Sequence, residues 1–261
     1  MSRPRALILL ASGTNRDQDV AQALELAGAI PEIIPLQALR QTAHPWKNYQ
    51  MLVVAGGFSF ADALGAGKLL ALDLVHYFSG ETSEFVAAGK PVLGICNGFQ
   101  ALVKSGFLPG DSPTAGPQAT LTFNLIGHFE CRWVTLKPVS QVCLWTRGLA
   151  ELIDCPVAHG EGNFVVAAPG IAQELGEAGQ IALVYAHPDG SPAGGAYPDN
   201  PNGSILDIAG ICNPAGNVLG LMPHPENHVL PYQHPRWTRG GERCSGLPLL
   251  VNGVKFANEL G

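Results

Sequence analysis

Three short runs of uninterrupted apolar residues constrain this chain most: Ala6-Leu7-Ile8-Leu9-Leu10, Met51-Leu52-Val53-Val54-Ala55 and Pro91-Val92-Leu93-Gly94-Ile95. A strand with one wet face alternates polar and apolar residues. A short run without that alternation reads as a strand covered on both faces. Between these runs the period changes. Residues 17–27 carry Val20, Ala23, Leu24 and Ala27 at helical spacing and stop at Gly28; 30–36 reads as another strand and 69–78 as a helix. After Ile95, the spacing of Phe99, Leu102 and Val103 before Gly106 is again helical. Strands alternating with helices predict βαβ units, so the expected class is α/β, with a doubly wound, mostly parallel sheet flanked by helices. The second half differs. Residues 119–122, 129–136, 157–167 and 181–186 read as short strands separated by Gly, Pro and Asn, and 219–222 as another apolar strand. These predict an antiparallel strand elaboration. With no linker and no repeat, residues 1–261 read as one domain. The polar, turn-rich stretch 231–242 predicts a surface loop before a last helix over 251–260.

Composition narrows the function classes. Charged residues are 14% of the chain, against about 25% in typical domains, which argues against disorder. The 15 Lys+Arg against 21 Asp+Glu leave a net charge of −6 with no basic run, a poor basis for binding nucleic acid or an anionic membrane. No apolar run nears the roughly 20 residues that span a bilayer, and the run at 6–11 is short for a secretory leader. The six cysteines form no C-x-x-C pair, so neither a zinc site nor a disulfide framework is expected, no metal is assigned, and a reducing cytoplasm is the default.

Gly94-Ile95-Cys96-Asn97-Gly98 stands at a predicted strand-to-helix junction and matches the nucleophile-elbow pattern with Cys in place of Ser. The glycines permit a sharp turn, and the helix N-terminus favours negative charge on the sulfur. The amide of Asn97 is placed to donate to an oxyanion. A free cysteine is as often a small buried hydrophobe, and the pattern alone does not choose between the two. A nucleophile needs a base. His224 and Glu226 are two residues apart between prolines; an extended chain would put both on one side, letting the carboxylate orient the imidazole. The plain alternative is a His-Pro turn with an exposed Glu. Gly56-Gly57-Phe58-Ser59 follows another predicted strand, where the Gly57 amide could be a second oxyanion donor or part of an ordinary turn.

Taken together, these pieces resemble the class I (triad) glutamine amidotransferases. The spelling of Gly56-Gly57-Phe58-Ser59, Gly94-Ile95-Cys96-Asn97-Gly98-Phe99-Gln100, His159-Gly160-Glu161-Gly162, Asn200-Pro201-Asn202-Gly203-Ser204 and Met222-Pro223-His224-Pro225-Glu226 is similar to that of the glutaminase subunits of phosphoribosylformylglycinamidine synthases. Gly13-Thr14-Asn15 and Leu121-Thr122 with Asn124 fit the same group, so the resemblance spans nearly the whole chain. It implies a flavodoxin-like fold, Cys96 as nucleophile, His224 and Glu226 as the rest of a triad, and Gly57 and Asn97 amides as oxyanion hole. Gly56, Phe58, Gln100 and Asn124 would help to hold L-glutamine. His159 and Glu161 would shape the glutamine pocket, touch the synthetase or only bond within their loop.

The implied reaction hydrolyses glutamine to glutamate and delivers ammonia to a separate synthetase. That partner uses ATP and magnesium to convert formylglycinamide ribonucleotide to the amidine in de novo purine biosynthesis. This chain, lacking a P-loop, would carry no cofactor, and a small bridging subunit would join the complex. Little glutaminase activity is expected without the partner. Three departures stand out: Ala61 where the group has Gly, Asn227 where it has Arg, and Leu125-Ile126-Gly127-His128 where it has a Ser and an Arg. Rival readings are the glutaminase of another synthase, such as pyridoxal phosphate synthase, a sheet of the DJ-1/PfpI kind without amidotransfer, and a scaffolding subunit that keeps the fold.

Overall fold

A computed structural model describes residues 3–41, 46–110, 113, 117–240 and 244–260. The apolar runs form β1 (Arg5–Leu10), β3 (Met51–Val54) and β4 (Val92–Ile95), with β2 (Ile30–Pro35) outside β1. Residues 6–8 and all of β3 and β4 are buried, as strands covered on both faces require. The helices between them are α1 (Asp17–Ala27), α2 (Leu36–Gln41), α3 (Lys68–Tyr77), α4 (Ser79–Ala87) and α5 (Asn97–Lys104). Helix α1 ends at Gly28, whose φ of 101° suits glycine.

The second half supplies β5 (Ala119–Thr122), β6 (Glu130–Pro138), β7 (Ile153–His159), β8 (Asn163–Val166), α6 (Pro169–Glu177), β9 (Ile181–Ala186), β10 (Ile208–Cys212), β11 (Val218–Leu221) and α7 (Leu247–Glu259). One nine-stranded sheet runs through both halves in the order β2-β1-β3-β4-β11-β10-β9-β6-β7. Its first five strands are mutually parallel, and the pairings from β11 onward are antiparallel. The expected antiparallel elaboration is therefore an extension of the same sheet. Helices α1 and α7 pack on each other, as do α3 and α5. Among the described residues no helix is long and apolar enough to cross a membrane.

Four differences from the sequence reading have physical causes. The expected strand 157–167 is two strands: β7 is the last strand of the large sheet, while β8 pairs only with β5 in a separate two-stranded sheet. The helix expected to end at 78 is followed at once by α4, across a break at Phe78. Residues 169–177, opened by Pro169 at its first turn, form a helix where none was expected. The stretch expected as a surface loop is exposed along most of its described length, but it is pinned at one point: His234 is buried and packs edge-on to Trp133 and beside His228. Its last two residues, Gly241 and Glu242, lie outside the described set.

Candidate active site

Strands β4 and β11 are parallel neighbours in register, Val218 opposite Val92 and Leu221 opposite Ile95, so the chain leaves both at the same edge. Binding sites in such sheets lie beyond the carboxyl ends of the strands. Past β4 comes Cys96, with φ 50° and ψ −105°, a backbone state that costs a non-glycine residue about 1–3 kcal/mol. The surroundings enforce it. The Cys96 N–H donates to Leu221 O at 2.8 Å, and the Cys96 carbonyl accepts the Gln100 N–H of the first turn of α5 at 3.0 Å. The flanking glycines are required by contact: a Cβ on Gly98 would lie 1.8 Å from Val54 O, and one on Gly94 would lie 2.5 Å from Leu102 Cδ1.

Past β11, the His224 N–H donates to Pro156 O at 2.8 Å, and Pro225–His228 form a 3-10 turn. The turn, rather than extended chain, carries Glu226 back so that its Oε1 accepts the His224 Nδ1–H at 2.7 Å. Both side chains are buried, at 3% and 1% exposure. Burial would pull the imidazole down. The Glu226 carboxylate and the Cys96 sulfur outweigh it and carry His224 from 6.5 up to about 10. Gly56 lets the pieces meet: a Cβ there would lie 3.0 Å from His224 Cε1 and 3.2 Å from Cys96 Cβ.

Cys96 and His224 open into a cavity of about 150 Å³, small beside the roughly 300–1,000 Å³ of drug-sized pockets and suited to a small metabolite. Gly57, Phe58, Asn97 and Gln100 line it too. Gly57 (φ 98°) has no room for a side chain: a Cβ would lie 2.2 Å from Asn15 Oδ1. Asn97 is the first residue of α5, so its N–H has no partner within the helix. The Asn97 side chain is spent on the wall: Nδ2 donates to Asp62 Oδ1 at 2.7 Å and to Gln100 Oε1 at 3.0 Å, and Oδ1 accepts the Ser59 N–H and hydroxyl. Gln100 Nε2 in turn donates to the Glu161 carbonyl at 2.7 Å. Burial, then the charge of Glu161, raises the Asp62 carboxyl above its ordinary range.

Two relations decide what this arrangement is: the Cys elbow beside a buried His–Glu pair, and a match along nearly the whole sequence. The sequence model of the CobB/CobQ-like glutamine amidotransferase domain matches residues 3–257. The chain belongs to this family. The amidotransferase is 58% identical to the phosphoribosylformylglycinamidine synthase subunit PurQ of Treponema denticola, covering 87% of this chain and 89% of that one. It is 40% identical to the PurQ subunit of Dehalococcoides mccartyi over the full length of both. Among solved structures it is similar to a chain of PurLQS from Thermotoga maritima, at TM-score 0.73 and 30% identity, covering 97% of this chain and 99% of that one.

Most of the residues singled out in the amidotransferase sequence converge, but three stand back from the cavity: Glu226 behind His224, Gly56 and Asn124. Gly56 acts as the spacer already described. Asn124 is buried behind the wall: Nδ2 donates to His159 O at 2.8 Å and His128 O at 3.0 Å, and Oδ1 accepts the Gly162 N–H at 2.9 Å. Its amide is committed to holding residues 159–162 in place. The loop around it reaches the cavity through Phe123 and Phe129 instead, the latter stacked on Phe58 with ring centroids 6.1 Å apart. His159 and Glu161 both line the cavity. Sequence reasoning missed Arg16, Asp62, Phe123 and Phe129 as lining residues; Arg16, next to Gly13-Thr14-Asn15, and Asp62, next to the departure at Ala61, carried a signal. Ala61, a departure from the group, sits at φ 53° between two other left-handed residues, Phe60 and Asp62, so the Ala there is strained. Asn227 donates from Nδ2 to Asp19 Oδ2 at 3.2 Å and ties the turn to α1.

Proposed function

We propose that this chain, as one amidotransferase domain, is the glutaminase subunit of a phosphoribosylformylglycinamidine synthase. It hydrolyses L-glutamine and passes the ammonia to a synthetase partner that carries ATP and magnesium, with a small bridging subunit in the complex. The observation that carries the chemistry is the strained Cys96 at the carboxyl end of β4, beside the buried His224–Glu226 pair and open to a small cavity. The names of the relatives carry the acceptor. The setting of this reaction is a reducing cytoplasm, where six sparse cysteines without a pairing pattern stay free thiols.

The Cys96 sulfur gives its proton to His224 and attacks the side-chain carboxamide carbon of glutamine. The Gly57 and Asn97 N–H groups hold the oxyanion, each such donor being worth on the order of 10²–10³ in rate. The C–N bond breaks as the imidazolium of His224 protonates the leaving nitrogen, which departs as ammonia. Water, deprotonated by His224, then hydrolyses the γ-glutamyl thioester to glutamate and returns the thiol. Glu226 keeps the imidazole in the Nδ1–H tautomer and stabilises its charged form. The test is glutamate formation by the chain alone and with its synthetase, beside Cys96→Ala. Turnover with the partner that vanishes in the variant is expected. A variant as active as the wild type would remove Cys96 as nucleophile.

A further inference from the structure

Among the buried side-chain atoms without a hydrogen-bond partner in the described residues, two belong to residues opposed across β6 and β7, one of which lines the cavity. His159 and Glu130 face each other in the β6–β7 register, and the orphan atoms are His159 Nε2 and Glu130 Oε2. Both residues are buried, at 3% and 5% exposure. Leaving such an atom unbonded costs about 1–3 kcal/mol, so a native pair of them calls for an explanation.

The surroundings fix what each atom can do. The Asn124 amide is oriented by backbone groups: its Oδ1 takes the Gly162 N–H and its Nδ2 donates to two carbonyls. Oδ1 therefore accepts, and His159 Nδ1, 3.0 Å away, must carry the proton. His159 Nε2 is left as a bare lone pair. Burial, and then the charge on His224, push this imidazole down to about 4, so it stays neutral at physiological pH. On Glu130, Oε1 accepts the Arg132 Nε–H at 2.8 Å. Burial works against its charge, but Arg132 and the Tyr197 hydroxyl outweigh it and hold the carboxyl below its ordinary range. Two buried acceptors cannot bond to each other; a small molecule with several N–H or O–H donors would satisfy both.

The reaction makes such a molecule within the same cavity. His159 lines it, and the carbonyl of Ala158, the preceding residue, is 3.8 Å from Cys96 Sγ. Arg132, which bonds Glu130 Oε1, also bonds the hydroxyl of Tyr197, which is 51% exposed. Contacts therefore connect the nucleophile, through residues 158–159 and their neighbour Glu130, to an exposed side chain. Resting on the function proposed above, we propose that His159 Nε2 and Glu130 Oε2 form a receiving site for the ammonia released at Cys96, the first station on its way to the partner. Ammonia donates two N–H bonds there, and His159 has no spare proton with which to convert it to ammonium.

The experiment measures amidine formed per glutamate formed by the complete complex with its synthetase, together with free ammonia in the medium. Glu130→Gln keeps the shape, and with Oε1 still accepting from Arg132 it puts an N–H donor in place of the Oε2 acceptor. His159→Asn keeps an N–H for Asn124 and removes the Nε2 acceptor. For each, the amidine-to-glutamate ratio is expected to fall about fivefold, equivalent to ~1 kcal/mol, with the difference appearing as free ammonia. A merely structural role would lower both products together and leave the ratio unchanged. Ammonium chloride, supplied in place of glutamine, checks that the synthetase in each complex still works. If wild-type complex makes no amidine from glutamine but does from ammonium chloride, the proposed function fails. If the wild type couples and both folded variants couple equally well, the receiving site fails and the two atoms hold only water; if one variant does not fold, the other decides.

Discussion

Replacing Cys96 by glycine and by alanine should reverse an ordinary rule of stability. At an unstrained position Gly is worse than Ala by roughly 0.5–1 kcal/mol, because its unfolded chain has more freedom to lose. Cys96 is held at φ 50° and ψ −105° by bonds on both sides and by close packing under Gly94 and Gly98. Alanine inherits the strain of about 1–3 kcal/mol and glycine does not. Both variants lose the same buried thiol, so the comparison cancels that term. The net expectation is that Cys96→Gly is more stable than Cys96→Ala by about 0.5–2 kcal/mol, or about 1–8 °C in melting temperature for a chain of this size. Urea unfolding and thermal melts of the two purified variants measure it, and neither assay depends on activity. A Gly variant that melts at or below the Ala variant would refute the strain, and with it the account of why the sulfur is presented above the sheet.

Ala61→Gly should stabilise the protein by about 0.5–1 kcal/mol, because the position is already left-handed; a loss of stability in urea unfolding would contradict this. Glu226→Gln keeps the size of the side chain and removes the charge that raises His224, so glutamine hydrolysis with the partner present should fall about 10²–10⁴-fold. A fall of less than about tenfold would show that the pair does not act as a unit.

The parallel half of the fold was legible because strands buried on both faces must be apolar without alternation, and β1, β3 and β4 carry nothing else that would fit. The elbow was legible because its glycines answer contacts with the next strand and helix, a constraint that leaves its mark on the sequence. Less was visible where the outcome depends on a distant partner. Nothing local distinguishes β7 from β8, since the Gly160-Glu161-Gly162 turn sends them to different sheets. A buried Asn reads alike whether its amide meets a substrate or, as at Asn124, three backbone groups. His234 looked like part of a polar loop because Trp133, which anchors it, is about a hundred residues away in sequence. Pro169 was a usable signal for the start of a helix that the sequence reading left out.

The two histidines at the cavity show how one site separates a proton donor from a group that must stay neutral, and the separation has a measurable consequence. His224 is raised to about 10 and His159 lowered to about 4, so the two imidazoles respond to pH in opposite senses. For His224 the stabilising contribution is fully present below the unfolded value near 6.5 and is lost as pH rises through about 10. For His159 it is present above 6.5 and is lost as pH falls through about 4. Between pH 7.5 and 4.5 the His159 contribution should fall by about 2–3 kcal/mol, from a separation of about 2.5 units at roughly 1.4 kcal/mol each. His159→Asn removes this titration while leaving the carboxylates that drive the rest of acid unfolding. Urea unfolding of wild type and variant across that range should therefore give curves that converge as pH falls, the variant losing less. Parallel curves would mean that His159 titrates alike in the folded and unfolded chain; the wall that buries it and the charge on His224 would then not act on it as the geometry requires.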